Sequence, residues 1–316
     1  KMANLRVYLC SDIHIDTWDF DWELVAHWSK FDVVCLVGDV SNDISLTKFF
    51  LDRVAKTYPQ VQILFVAGNH DFYNTDLISV DLMLAKIDNE NANFHYLRVL
   101  DDSTCTCYTV GNVVFIGDTL WTDFRLNTLG FGDTVHENSE YYMNRAHSRM
   151  NDYHCILTQP LDTSTEIGMY MSLLKDKKEA GLANQLQCME VNRYLAGLKT
   201  KLTPMVTAAL HKQQLDVLLA RAEDAKSLGY TVVMLSHHLP DKQSCDNRYE
   251  YMDIDPAYAS NLLEAKVNPM AYWFHGHSHR SNRYIKNGVE VISNPNGYNE
   301  PNQEFMNFEL EIPYVP

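Results

Sequence analysis

Residues 5–14 read LRVYLC followed by Ser11-Asp12-Ile13-His14, a short apolar run broken only by Arg6 that ends abruptly in a polar cluster. The same grammar returns twice: DVVCLV (32–37) runs into Gly38-Asp39, and VQILFVA (61–67) runs into Gly68-Asn69-His70-Asp71. Apolar runs of this length with sharp boundaries read as buried strands. Between them Trp18, Trp22, Val25 and Trp28, and then Leu46, Phe49, Phe50, Arg53 and Val54, recur at helical spacing. The first third is therefore predicted as βαβαβ. Asp12 and Asp39 are 27 residues apart, and Asp39 and Asn69 are 30 apart. Each interval suits a crossover that returns the chain to the same sheet edge. All three polar clusters should then lie at strand C-terminal ends, where open α/β sheets bind ligands.

Further along, a helix is expected around Ile78 to Ile87, and the runs TCTCYTV and NVVFIGD, joined at Gly111-Asn112, give a hairpin signal for a second, partly antiparallel sheet. Residues 127–202 break this pattern. They are rich in Met, Tyr, Asn and Gln, carry helical periodicity at Val191, Tyr194, Leu195 and Leu198, and read as a mostly helical insertion. Thr203-Pro204 then offers an N-cap and a first-turn proline, Leu215, Leu218, Leu219 and Ala222 form an apolar stripe, and Gly229 can end the helix. YTVVMLS runs into His237-His238, and AYWF runs into His275-Gly276-His277-Ser278-His279. The last strands are placed around Tyr284–Ile285 and Val289–Ile292.

The 316 residues are 46% hydrophobic and 21% charged, a globular composition that excludes disordered, collagen-like and coiled-coil readings. A net charge of −15 with no Lys/Arg tract argues against a broad grip on nucleic-acid backbone or acidic lipid. No apolar run reaches membrane-spanning length and no secretory leader pattern is present, so the expected compartment is the cytoplasm. Seven scattered cysteines do not make a disulfide framework, and Cys105-x-Cys107 without a second pair reads as packing.

The residues just past the strand ends are Asp12 and His14, Asp39, Asn69 with His70, His237, and His277 with His279. Carboxylate, amide oxygen and imidazole suit Mn, Fe, Zn or a mixed pair of ions. In an extended strand, residues two apart share a side, so Asp12 with His14 could grip one ion, and His277 with His279 could likewise approach a shared centre. A lone histidine in a chain with 13 is more often a hydrogen-bonded structural residue than a ligand, and any single DxH or HxH carries little weight. The ordered set is different, because burying so many ionisable groups together without metal would be costly. Seven ligands exceed one tetrahedral zinc; two ions sharing a carboxylate would use them all.

At these residues the chain resembles the calcineurin-like metallophosphoesterase superfamily, whose scattered signature is D-x-H, G-D, G-N-H-[DE], H and G-H-x-H. Here the blocks stand in order as Asp12-Ile13-His14, Gly38-Asp39, Gly68-Asn69-His70-Asp71, His237 and Gly276-His277-Ser278-His279, spanning residues 5–118 and 203–300. The resemblance implies an α/β fold of two mixed β-sheets packed face to face and flanked by helices, a four-layer sandwich. The catalytic domain would cover residues 2–316 with the helical insertion 127–202 inside it. It further implies one metal on Asp12, His14, Asp39 and His279 and a second on Asp39, Asn69, His237 and His277, with Asp39 bridging. The protein Ser/Thr phosphatases of the superfamily carry G-D-x-x-D-R-G, whereas this chain reads Gly38-Asp39-Val40-Ser41-Asn42-Asp43-Ile44, which sets that branch aside. Segments such as Asn294-Pro295-Asn296-Gly297-Tyr298 look instead like bacterial and phage-type phosphoesterases.

Two divalent cations, manganese first with iron or zinc as alternatives, would acidify a bridging water and clamp the phosphoryl oxygens. His70, beside Asn69 but outside the ligand set, is placed to protonate the leaving oxygen, so His70 and Asp39 are the catalytic candidates. Arg125, Arg145 and Arg280 are candidate phosphate clamps, and Tyr73, Trp121 and Tyr298 could stack on a base. The leading expectation is a phosphodiesterase acting on nucleotides or other small phosphoesters. A phosphomonoesterase, a nuclease and a catalytically silent metal-binding scaffold are the competing readings. The insertion is a candidate cap over the pocket or, with Leu173, Leu174, Leu182, Leu186 and Met189, an arm for subunit contact.

Overall fold

The computed structural model describes residues 3–91, 96–126, 135–158, 200–245, 254–298 and 303–316. The three opening apolar runs are parallel strands, β1 (Ala3–Cys10), β2 (Val33–Val37) and β3 (Gln62–Val66), and the short β4 (Leu97–Val99) continues the same sheet. A final strand, β13 (Leu310–Tyr314), pairs antiparallel with β1 and gives the order β13-β1-β2-β3-β4. The second sheet runs β11 (Asn282–Lys286), β12 (Val289–Ser293), β10 (Tyr272–His275), β9 (Thr231–Ser236), β6 (Val113–Asp118), β5 (Cys107–Val110). Its four inner strands are parallel, with the antiparallel β11 and β5 at the edges. A two-stranded ribbon, β7 (Leu157–Thr158) with β8 (Thr200–Lys201), brackets residues 159–199.

One core cluster joins Val33, Val37, Leu64 and Val66 of the first sheet to Phe115, Val233, Leu235 and Phe274 of the second, so the sheets face each other across it. The outer face of the first sheet carries α1 (Ile44–Thr57) and α2 (Leu77–Asn91), through Phe50, Leu51, Val54, Val80, Leu84 and Ile87. The outer face of the second sheet carries α5 (Pro204–Ser227) through Leu218 and Ala222. Helix, sheet, sheet, helix is the four-layer architecture the sequence implied.

Local chemistry accounts for several boundaries. Asp43 caps α1 by accepting from the Ser45 amide at 2.7 Å, and Thr203 caps α5 by accepting from the Val206 amide, with Pro204 in the first turn. Gly229, at φ +85°, lets the chain leave α5. Two expectations need correction. The Trp18–Trp28 stripe forms a 3₁₀ segment over Trp22–Lys30, held by aromatic packing of Trp28 and Trp22 on Phe50. Phe49 points outward at 57% exposure, because the inward face of α1 is set by Thr47, Phe50, Leu51 and Val54. The strands β4 and β13 lacked a legible signal, β4 being three residues long and β13 carrying Pro313.

Within the expected insertion, α3 (Val135–Arg149) and α4 (Asp152–Cys155) are helical. The periodicity at Val191, Tyr194, Leu195 and Leu198, and the leucines from Leu173 to Leu186 with Met189, lie outside the described residues. No described helix is long and apolar enough to cross a membrane.

Candidate active site

The parallel strands deliver their polar ends to one rim. Asp12 and His14 follow β1, Asp39 follows β2, Asn69 and His70 follow β3, His237 follows β9, and His277 and His279 follow β10. None of these pairs stays extended. Asp12 (φ 53°), His14 (φ 40°), Asp39 (φ 56°), His277 (φ 69°) and His279 (φ 49°) all lie in the left-handed region, which costs non-glycine residues energy and is held only by surrounding structure. Backbone bonds do the holding: the Asp12 amide donates to Gly38 O at 3.0 Å, the His14 amide to Asp39 O at 3.1 Å, and the His277 amide to both Asp12 carboxylate oxygens at 3.1 Å. The sharing of one side by alternate residues therefore does not arise from strand pleat, and His277 and His279 diverge to different clusters.

Two clusters result, each with its ligand atoms within 4.8 Å of one another: Asp12, His14, Asp39 and His279, and Asp39, His237 and His277. In the first, His279 Nε2 lies 3.3 Å from Asp12 Oδ1 and 3.2 Å from His14 Nε2. In the second, His237 Nε2 lies 3.2 Å from Asp39 Oδ1 and 2.9 Å from Asn69 Oδ1. The other nitrogen of His237 is tied to Val37 O at 2.8 Å, which aims Nε2 inward. Asp39 turns Oδ1 to the second cluster and Oδ2 toward His14, 3.9 Å away, so one carboxylate serves both.

The donor set fits two divalent cations of the hard-to-borderline class, all oxygen and imidazole nitrogen with no thiolate. His277 Nε2 is buried without a hydrogen-bond partner, an acceptor that a cation would satisfy. Burial, reinforced by His238 and His237, holds the His277 ring well below the ordinary histidine range, and burial lowers His14 to about 4. Both are thus in the neutral form that ligates metal. Burial would raise Asp39, but His237 and His70 override it and keep the carboxylate well below its usual value; Asp39 in turn lifts His237, against burial, to about 9.

Two glycines make the close approach possible. A Cβ on Gly68 would sit 2.1 Å from Asp39 Oδ1, and one on Gly38 2.4 Å from His237 Nδ1. Beneath the turn Asp71 accepts from the amides of Gly68 at 2.9 Å and Asp39 at 3.0 Å and from Thr47 Oγ1 at 2.8 Å, fixing the bridging residue from behind.

The sequence that supplies the first of these strand ends matches a family model. A model of the calcineurin-like phosphoesterases fits residues 5–164. The chain belongs to that family. It is accordingly a metal-dependent hydrolase of phosphoric esters, from a family whose centre takes divalent metals in a dinuclear site. Uncharacterized protein L509 of Acanthamoeba polyphaga mimivirus is 24% identical over 297 residues, covering 90% of this chain and 85% of that protein. Among solved structures, phosphopantetheinyl hydrolase (PptH) of Mycobacterium tuberculosis superposes with a TM-score of 0.62 at 14% identity, covering 94% of this chain and 90% of that one. A dimetal phosphatase from Danio rerio gives a TM-score of 0.46 at 14% identity, over 98% and 99% of the two chains.

The phosphoesterase clusters open into a cavity of about 420 Å³, walled by Asn69, His70, Tyr73, Tyr258 and Tyr298 and by Arg149–Asp152, which run from the end of α3 to the start of α4. His70 Nδ1 lies 2.6 Å from Asn42 Oδ1, its Nε2 is 3.4 Å from the Tyr298 hydroxyl and 3.9 Å from Asp39 Oδ2, and its ring stacks on Tyr73 at 4.3 Å. Of the sequence candidates, Tyr73 and Tyr298 line the cavity. Arg125 and Arg280 do not: Arg125 is exposed elsewhere, and Arg280 donates to Cys245 O at 3.0 Å. Arg145 also lies outside the lining, and Trp121 is buried against Phe72 and His238. Sequence reasoning missed Asn42, Arg149, Asp152 and Tyr258, the last stacked on His277 at 4.4 Å. Only Asn42 had a signal, as the residue directly after Gly38-Asp39-Val40-Ser41, where the protein phosphatases of the superfamily carry Asp.

Proposed function

We infer that this phosphoesterase is a dinuclear hydrolase of small phosphoesters, a phosphodiesterase on nucleotides or compounds of similar size. The observation that carries the reading is Asp39, whose two oxygens face two ligand clusters 3.9 Å or less from its flanking histidines, with His70 beside it but outside both sets. We assign the first metal to Asp12, His14, Asp39 and His279 and the second to Asp39, Asn69, His237 and His277. When bound, the two cations, manganese in the first instance, supply Lewis acidity toward water and toward the phosphoryl oxygens.

The chain's own residues do the rest. Asn42 accepts from His70 Nδ1, which leaves Nε2 facing the cavity to carry the proton for the departing alkoxide. Tyr298, half exposed over the rings of His14 at 4.4 Å and His279 at 4.6 Å, forms a wall against which a flat leaving group can rest. The cavity lies toward the lower end of the 300–1,000 Å³ range typical of small-ligand sites, which supports a small ester over a polymer. Arg149 is the one Lys or Arg among its described lining residues, which favours the single negative charge of a diester over a dianion. We read residues 2–316 as one catalytic domain and 127–202 as its cap, since Arg149–Asp152 form part of the wall.

Chelator-stripped protein assayed with added Mn²⁺ on bis-nitrophenyl phosphate, nitrophenyl phosphate and cyclic and linear nucleotide esters tests this. Preferential cleavage of diesters supports it. Metal-dependent cleavage of monoesters alone would establish the phosphomonoesterase reading instead.

A further inference from the structure

Asn69 is the one carboxamide in the proposed ligand set, and the side chain by itself does not settle its orientation. Its amide can present oxygen or NH₂ to the second cluster, and only the oxygen can ligate a cation. The structure shows what decides between them. Asn69 Nδ2 donates to Asp152 Oδ1 at 2.8 Å, leaving Oδ1 on the side of His237 Nε2, 2.9 Å away. Asp152 is 2% exposed, and the same oxygen accepts from the Tyr73 hydroxyl at 2.6 Å. A carboxylate can only accept, so the flipped amide would set two oxygens against each other in a buried site.

Asp152 does not belong to any motif block. It opens α4 in the inserted segment, directly after Arg149–Asn151 on the cavity wall, and α4 is tied back to the scaffold by the bond from Asn74 N to Cys155 O at 3.0 Å. Through Tyr73, whose ring stacks on His70, the same carboxylate also braces the face of the proton donor. We propose that Asp152 is a positioning residue that locks the Asn69 amide with Oδ1 toward the second metal position, so that filling this position depends on the inserted segment. The proposal rests on the dinuclear reading above. Partners of this kind, hydrogen-bonded behind a metal ligand, typically contribute 10- to 100-fold in metal affinity or activity.

The test is Mn²⁺ titration of stripped protein, read by elemental analysis after dialysis and by calorimetry, for the parent, Asp152→Ala, and the exchange variant carrying Asn69→Asp with Asp152→Asn. The parent should hold two equivalents. Asp152→Ala should hold the first with parental affinity and the second roughly 10- to 100-fold more weakly. The exchange variant keeps the buried hydrogen bond with donor and acceptor swapped, presents an oxygen to the cluster again, and should regain tight second-site binding. Because it is isosteric, it reports even where the alanine variant fails to fold. Asp152→Ala that holds both equivalents as tightly as the parent, or an exchange variant confined to one, overturns the proposal. A parent that holds no divalent cation sinks the dinuclear reading and this inference with it.

Discussion

At the scale of single residues, Asp39 and His70 should separate cleanly by what they lose. Asp39→Asn removes the one carboxylate that faces both clusters, so metal content should fall by at least one equivalent and most turnover with it; two tightly held cations in the variant would contradict the bridging role. His70 adjoins Asp39 but is a member of neither cluster, so His70→Ala should keep its metals. Its turnover should fall by roughly 10² to 10⁴ on alkyl esters and much less on nitrophenyl esters, whose leaving group needs no proton. Equal losses on both would argue against an acid. The residues of the two clusters were legible because each falls at the end of an apolar run. Asp152 was not, since its contacts to Asn69 and Tyr73 are separated by 83 and 79 residues and no local pattern announces them.

At the scale of elements, the parallel strands and their crossovers could be read from apolar runs about 30 residues apart, but the shape of the strand-end turns could not. Five residues of the two clusters adopt left-handed backbone that nothing in their residue types requires. That conformation is held by bonds between neighbouring turns, such as the Asp12 amide on Gly38 O and the His14 amide on Asp39 O, and Gly68 packs directly against Asp39. Gly68→Ala should accordingly drive the Asp39 carboxylate from its place, since the added carbon would lie 2.1 Å from Oδ1 and 2.5 Å from the Asp39 amide nitrogen. We expect a loss of about 1–3 kcal/mol in stability by thermal or denaturant unfolding. Activity should fall by roughly 10²-fold or more from misplacement of the centre. A variant with parental stability and metal content would show that the turn is freer than described.

At the scale of the molecule, the two sheets hold a second acidic group apart from the two clusters. Asp101, Asp102 and Asp118 converge at the ends of β4 and β6, and Asp118 has one carboxylate oxygen with no hydrogen-bond partner. Burial, with the charges of Asp101 and Asp102, holds Asp118 well above the usual carboxylate range. Between the unfolded value and that raised one the folded chain binds more protons than the unfolded chain, so stability falls as pH rises through the window. Asp118→Asn keeps an acceptor for the Asp102 amide, which donates to Oδ2 at 3.0 Å, and cannot ionise. It should melt above the parent at pH 8, with the advantage shrinking toward pH 4; a parent that is the more stable at pH 8 would contradict the assignment. The architecture as a whole brings seven side chains from five strand ends together, with the Asp39 carboxylate shared between the two clusters, and the most direct test is to count what they hold. Stripped protein titrated with Mn²⁺ while hydrolysis of bis-nitrophenyl phosphate is followed should bind two equivalents, with turnover rising as the second fills. Saturation at one equivalent with full turnover, or turnover independent of added metal, would contradict it.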